Sequence, residues 1–173
     1  MSITIIIAFI IFFCLRLFTL SISIKNEKRL KQGGAQEYGR TNSLVLAGLH
    51  VLFYLGALGE GISKHVQFDR VTLIGLIIYL LATAVLFYVI QQLSPIWTVK
   101  LIIAPGHQLN QSPLFRYVRH PNYFLNIIPE LIGLALIMKA YWVLTLLFPI
   151  YLISLGVRIV QEERLMRATF PEY

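Results

Sequence analysis

The sequence predicts an all-α integral membrane protein of about five transmembrane helices, the last two forming a tight hairpin, in one domain spanning residues 1–173. Three observations predict it. Mean hydropathy is +0.73. Only 13% of residues are charged, against about 25% in an ordinary soluble domain. Apolar runs of the length that crosses roughly 30 Å of hydrocarbon alternate with basic connections. The net charge of +7 would suggest a nucleic-acid partner in a soluble chain. Here the charges sit between apolar runs, so the positive-inside rule accounts for them and no nucleic-acid partner is expected.

The first span is expected from about Ser2 to Ile24. It has no basic stretch ahead of it and no small-residue cleavage site behind it, so it reads as a retained helix rather than a signal peptide. Cys14 lies inside it and reads as a small buried hydrophobe. Arg16 also lies inside it, and snorkelling toward the interface is the simple expectation; facing a polar cavity is the alternative. Residues 25–42 carry five Lys or Arg, with Gly33, Gly34 and Gly39 interrupting any continuous helix. They predict a surface loop, or an interfacial helix followed by a turn.

The second span is expected from about Ser43 to Ile62. It holds His50, for which a structural hydrogen bond is the ordinary role, and it ends near Glu60. Asp69 is placed to cap the third helix, expected from Val71 to Gln92 and read as scaffold. Residues 1–92 thus form a three-helix N-terminal part. The connection from Leu93 to His120 carries Pro95, Pro105 and Pro113 and is long for a plain link, which marks it as functional. The fourth span, Asn122 to Met138, contains Pro129, expected to bend it by removing a backbone hydrogen bond. Lys139 and Ala140 alone separate it from the fifth span, Tyr141 to Val160.

Lys and Arg concentrate in the first and third connections and in the tail. This puts the N-terminus outside and the C-terminus in the cytoplasm. The segment SPLFRYVRHPNYFLNIIPE (Ser112–Glu130) and the tail RIVQEER then share the cytoplasmic end of the hairpin. Arg158 and Glu162 stand at i,i+4, a spacing that suits a salt bridge. Glu163 points about 100° away, which suits a solvated carboxylate. Asn122, Asn126 and Glu130 form one stripe, and interhelical hydrogen bonding explains the asparagines. Glu130 is two turns deep and must be paired, protonated or wet. A stripe from His120 to Glu130 can line a pocket joining a water-soluble cofactor to a lipophilic small-molecule substrate. Carboxylates suit an ammonium, Arg or His a carboxylate, and Tyr117 or Tyr123 an aromatic ring. No GxGxxG, P-loop, metal spacing or nucleophile elbow is visible.

SPLFRYVRHPNY, a two-span hairpin and RIVQEERLMRATFPEY together resemble the isoprenylcysteine carboxyl methyltransferase family, over roughly residues 90 to 173. The NEKRLKQGGAQEYG loop, SPIWTVKLIIAPGH and RHPNYFLNIIPELIG are similar to small bacterial members that O-methylate long-chain alkylpyrones. The resemblance implies S-adenosyl-L-methionine as cofactor and residues 93–173 as the methyltransferase region. It places Tyr117, Arg119, His120, Pro121, Tyr123 and Glu163 at the cofactor. It gives Arg158, Glu162 and Glu163 the catalytic end. Asn126 and Glu130 lie outside the general motif and are assigned to the substrate. The tail reads FPEY, with Pro171 where the family commonly carries Gly. An isoprenylcysteine carboxylate and a phospholipid amine are the alternative acceptors. A nicotinamide-dependent membrane reductase and a non-enzymatic membrane protein are the readings outside this class.

Overall fold

The computed structural model describes residues 1–106 and 112–170. The His107–Gln111 part of the long connection and the Pro171–Tyr173 end of the FPEY tail lie outside the described residues. Helix α1 (Ile3–Gln32), strand β1 (Gln36–Tyr38), α2 (Arg40–Ser63), α3 (Arg70–Leu93), strand β2 (Leu101–Ile103), the short α4 (Pro113–Tyr117), α5 (Ile128–Met138) and α6 (Tyr141–Thr169) follow in order. A π-helical turn, Asn122–Ile127, leads directly into α5. Four helices, α1, α2, α3 and α6, are long and apolar enough to cross a membrane, and Asn122–Met138 forms a shorter apolar fifth. The protein is an integral membrane protein.

Two helix ends differ from expectation, one of them that of α6, which does not stop at Val160 but runs to Thr169. Helix α1 does not end at Ile24 but runs two further turns to Gln32. Nothing in residues 25–32 breaks a helix, and Lys31 pairs with Glu27 one turn back at 2.7 Å. Gly33 and Gly34 then end it, the latter at φ +85°. Residues 36–38 next pair antiparallel with 101–103, Gln36 opposite Ile103 and Tyr38 opposite Leu101. This two-stranded ribbon ties the first connection to the third. Cys14 is also exposed rather than buried. It lies among outward-facing Ile10, Ile11 and Leu17, while Ile5, Phe12, Thr19, Ser23 and Asn26 form the inward stripe of α1.

The expected capping and hairpin are in place. Asp69 accepts from the Thr72 amide at 3.0 Å. The Lys139 ammonium hydrogen bond, together with this amide, holds its carboxyl down at about 2. Lys139 adopts φ +48°, and α5 turns into α6 within two residues. Glu60 accepts from the Trp142 and Val143 amides, both at 3.1 Å. It thus satisfies orphan donors at the start of α6.

Helices α3 and α5 form the closest pair. A Cβ at Gly133 would lie 2.8 Å from the Gly75 carbonyl, and one at Gly75 2.7 Å from the Gly133 carbonyl. Small residues permit this backbone approach, as in other packed membrane helices. It brings Tyr79 of α3 against the centre of the bundle, where it is 1% exposed. Gly133→Val is therefore expected to force α3 and α5 apart and to lower stability by about 1–3 kcal/mol. A clear drop in Tm in detergent checks this; an unchanged Tm refutes the backbone contact.

Candidate functional site

The polar groups collect at two levels. The first lies in the middle of the bundle. Glu130 is 0% exposed, and its carboxylate forms an ion pair with Arg16 of α1. Its Oε1 accepts from the Tyr54 hydroxyl of α2 and from the Tyr79 hydroxyl of α3. His50 Nε2 is 3.7 Å from the same oxygen, and His50 Nδ1 is 3.4 Å from the Tyr151 hydroxyl. Arg16 therefore does not snorkel. An arginine and a carboxylate in two apolar spans cost less together than apart. The Arg16 Nη2 also donates to Asn126 Oδ1 at 3.2 Å, and Asn126 Nδ2 donates to Asn122 Oδ1 at 3.0 Å. The expected stripe of Asn122, Asn126 and Glu130 exists, with Arg16 completing it.

The second level sits at the end of the hairpin. Pro121, buried, opens the helical run and sets His120 just before it. His120 is 6% exposed. Its Nε2 lies 2.9 Å from Glu163 Oε1, and its Nδ1 lies 3.3 Å from Glu162 Oε1. Consecutive residues of α6 thus reach the two nitrogens of one ring. Glu163 is accordingly not a solvated carboxylate: Arg167 lies 3.3 Å and Arg119 3.7 Å from its Oε2. Burial works against the imidazolium, but the hydrogen bonds and charges of Glu162 and Glu163 outweigh it and hold the His120 pKa above the ordinary 6.5.

Arg158 does not form the i,i+4 salt bridge with Glu162. The Tyr123 hydroxyl stands between them, donating to Glu162 and accepting from Arg158 Nε at 3.3 Å. Arg158 is 3% exposed. Its other bonds go to Ser43 Oγ at 2.8 Å and to the Val99 carbonyl at 3.3 Å. All three of these partners are neutral, so among the described residues no carboxylate bonds the buried guanidinium directly. Gly39 turns the chain into α2 beside the Gln161 side chain of α6. It adopts φ +59°, and a Cβ there would meet Gln161 at 2.4 Å.

The structure brings His120, Pro121, Tyr123, Arg158, Glu162 and Glu163 together, with Arg119 at the rim. Tyr117 stands apart, 85% exposed on α4. Asn126 and Glu130 belong to the deeper level. Ser43 and the Val99 carbonyl are site groups that carry no signal in the sequence. Tyr54 and Tyr79 carried only the weak signal of hydroxyls in apolar spans.

Membrane helices thus converge on paired carboxylates, a buried histidine and a buried arginine at one end. Residues 73–168 match the isoprenylcysteine carboxyl methyltransferase (ICMT) family, and the chain belongs to it. Membership implies a membrane methyltransferase dependent on S-adenosylmethionine. A Haemophilus influenzae protein described as uncharacterized is 51% identical over 166 residues, covering 96% of each chain. The uncharacterized Bacillus subtilis protein YpbQ is 25% identical over 148 residues, covering 86% of this chain and 88% of its own. No solved structure matches.

The His120 clamp has a signed pH dependence. Because its folded pKa lies above 6.5, its stabilisation is complete below the unfolded value and fades as pH rises through the folded one. The Tm in detergent is expected to fall as pH rises above the ordinary histidine value of 6.5, and this fall should flatten in His120→Gln. Equal slopes for both proteins would show that the clamp contributes nothing.

Proposed function

We propose that the protein transfers the methyl group of S-adenosylmethionine to an anionic oxygen on a lipidic acceptor, a long-chain alkylpyrone enol being the first choice. The single observation that carries this is the charge layout around Tyr123. Carboxylates and His120 stand on one side, and the buried Arg158, whose bonding partners among the described residues are all neutral, stands on the other. The acidic side suits the ammonium and sulfonium of the cofactor, and Arg119 at the rim suits its carboxylate. Tyr123, stacked on His120 with ring centroids 5.6 Å apart, supplies an aromatic wall, and Tyr117 on α4 is the candidate to cover it. When bound, the cofactor supplies an electrophilic methyl group.

The chain's own residues then have separate tasks. Glu163 and His120 orient the donor. Arg158 holds the acceptor oxygen as an anion, and Glu162, through the Tyr123 hydroxyl, fixes where Arg158 points. An enolate or carboxylate needs no strong base, so alignment is the main contribution. A guanidinium in this place repels a protonated amine, which favours an oxygen acceptor over a phospholipid amine. Asn126 and Glu130, beneath Tyr123, form the floor that sets how deep the acceptor's head sits. On this reading the site end faces the cytoplasm, where the cofactor is.

Calorimetry of the detergent-solubilised protein is expected to show S-adenosylmethionine binding. Glu163→Gln should weaken it by at least about tenfold, equivalent to about 1.4 kcal/mol. Arg158→Gln should spare cofactor binding and remove methyl transfer to an alkylpyrone, read by mass spectrometry with labelled cofactor. A folded protein that binds no S-adenosylmethionine would sink the proposal. Transfer to a phospholipid amine but not to the pyrone would sink the choice of acceptor.

A further inference from the structure

We infer that Arg16, on the first helix and outside the stretch that matches the family, is a positioning residue for Tyr123, acting through Asn126 and the π-helical turn. The turn is the unusual element between the two polar levels. The Ile128 amide bonds the Tyr123 carbonyl, one residue further back than in an α-helix. Pro129 follows at once, and a wider turn gives its ring room against the carbonyl of residue 125. π-Turns are rare and poorly self-supporting, so side chains must hold this one in place.

The holding contacts come from α1. Asn126 lies within the turn, 1% exposed. Its oxygen is taken by Arg16, and its nitrogen is given to Asn122. Tyr123 lies between these two asparagines in the chain. Its hydroxyl links Glu162 to Arg158. Arg16 is itself fixed by its ion pair with Glu130. A line of bonds therefore runs from Glu130 through Arg16, Asn126 and Asn122 to the backbone that aims Tyr123. Arg16 has the right chemistry for this, because its planar fork engages Glu130 through Nε and Asn126 through Nη2 together. Lysine can keep the charge but cannot make both contacts in a fixed geometry.

What Tyr123 serves rests on the methyltransferase reading; that Arg16 positions it does not. The test uses the full chain in detergent, labelled with 3-fluorotyrosine, with the Tyr123 resonance assigned by its loss in Tyr123→Phe. No ligand is needed. Asn126→Leu cuts the line while leaving the Arg16–Glu130 pair, and Arg16→Lys keeps the pair while losing the fork. Both are expected to shift or broaden the Tyr123 resonance while the Tyr38 and Tyr141 resonances stay in place. An unmoved Tyr123 resonance in either folded variant overturns the inference. Should Asn126→Leu fail to fold, Asn126→Ser replaces it, with the same expected outcome and the same overturning one.

Cofactor affinity supplies a second readout. Asn126→Leu should weaken S-adenosylmethionine binding by about tenfold, and adding it to Tyr123→Phe should cost nothing further. Additive losses would mean that the line does not act through Tyr123. If the wild-type chain binds no cofactor, the methyltransferase reading fails and the fluorine spectrum alone decides the positioning role.

Discussion

The structure depends on one buried carboxylate. Glu130 lies in the apolar middle of the bundle, and its partners come from three other helices: Arg16 from α1, Tyr54 from α2 and Tyr79 from α3. A charge at this depth is tolerable only with a counter-ion and hydrogen bonds to its remaining lone pairs. Removing one partner from such a pair typically costs roughly 3–5 kcal/mol. The need to satisfy Glu130 therefore fixes the rotation of four helices about their own axes. Lipid-facing apolar packing cannot do this, because acyl chains are as apolar as leucine. The glycine contact between α3 and α5 serves the same end, since only a close crossing lets the Tyr79 hydroxyl reach that carboxylate.

The two polar levels divide the labour. In the deep one, the buried Glu130 carboxylate is matched by the Arg16 guanidinium and by two tyrosine hydroxyls. The outer one is paired unevenly, with His120 clamped between two carboxylates while Arg158, among the described residues, bonds neutral groups. Charge is thus separated across the Tyr123 hydroxyl, which suits the cationic donor and anionic acceptor we propose. The family match covers the outer level almost completely, but it begins at residue 73. Arg16, Ser43, His50 and Tyr54 all lie before it. The helices ahead of the shared region thus supply the counter-ion of Glu130 and one of the three bonds to Arg158.

Much of this could be read from the chain. The starts of the spans after residue 40, the Asp69 cap and the two-residue hairpin follow from local patterns, and each stands close to where those patterns put it, whereas α6 runs to Thr169, past its expected end at Val160. The joining of the RHP segment to the EE pair follows from antiparallel geometry alone. Other readings failed for want of a partner. Arg16 seemed free to snorkel because snorkelling depends only on its own helix, whereas its ion pair depends on residue 130. The i,i+4 spacing of Arg158 and Glu162 suggested a direct bridge, yet Tyr123 from another helix occupies the gap. Glu162 and Glu163 diverge on their helix but converge on His120, because a ring with two nitrogens can be met from two sides.

The sequence by itself determined the membrane class, the helix count, the turn chemistry and the residue types of the outer site, because each follows from composition or from contacts within a few residues. The tertiary structure decided which buried charges compensate each other, where the π-turn aims Tyr123 and that Ser43 and the Val99 carbonyl reach Arg158. Those outcomes depend on distances between residues about 25 to 115 positions apart in the chain. No local periodicity encodes them; the cost of leaving a polar group unpaired in an apolar medium does.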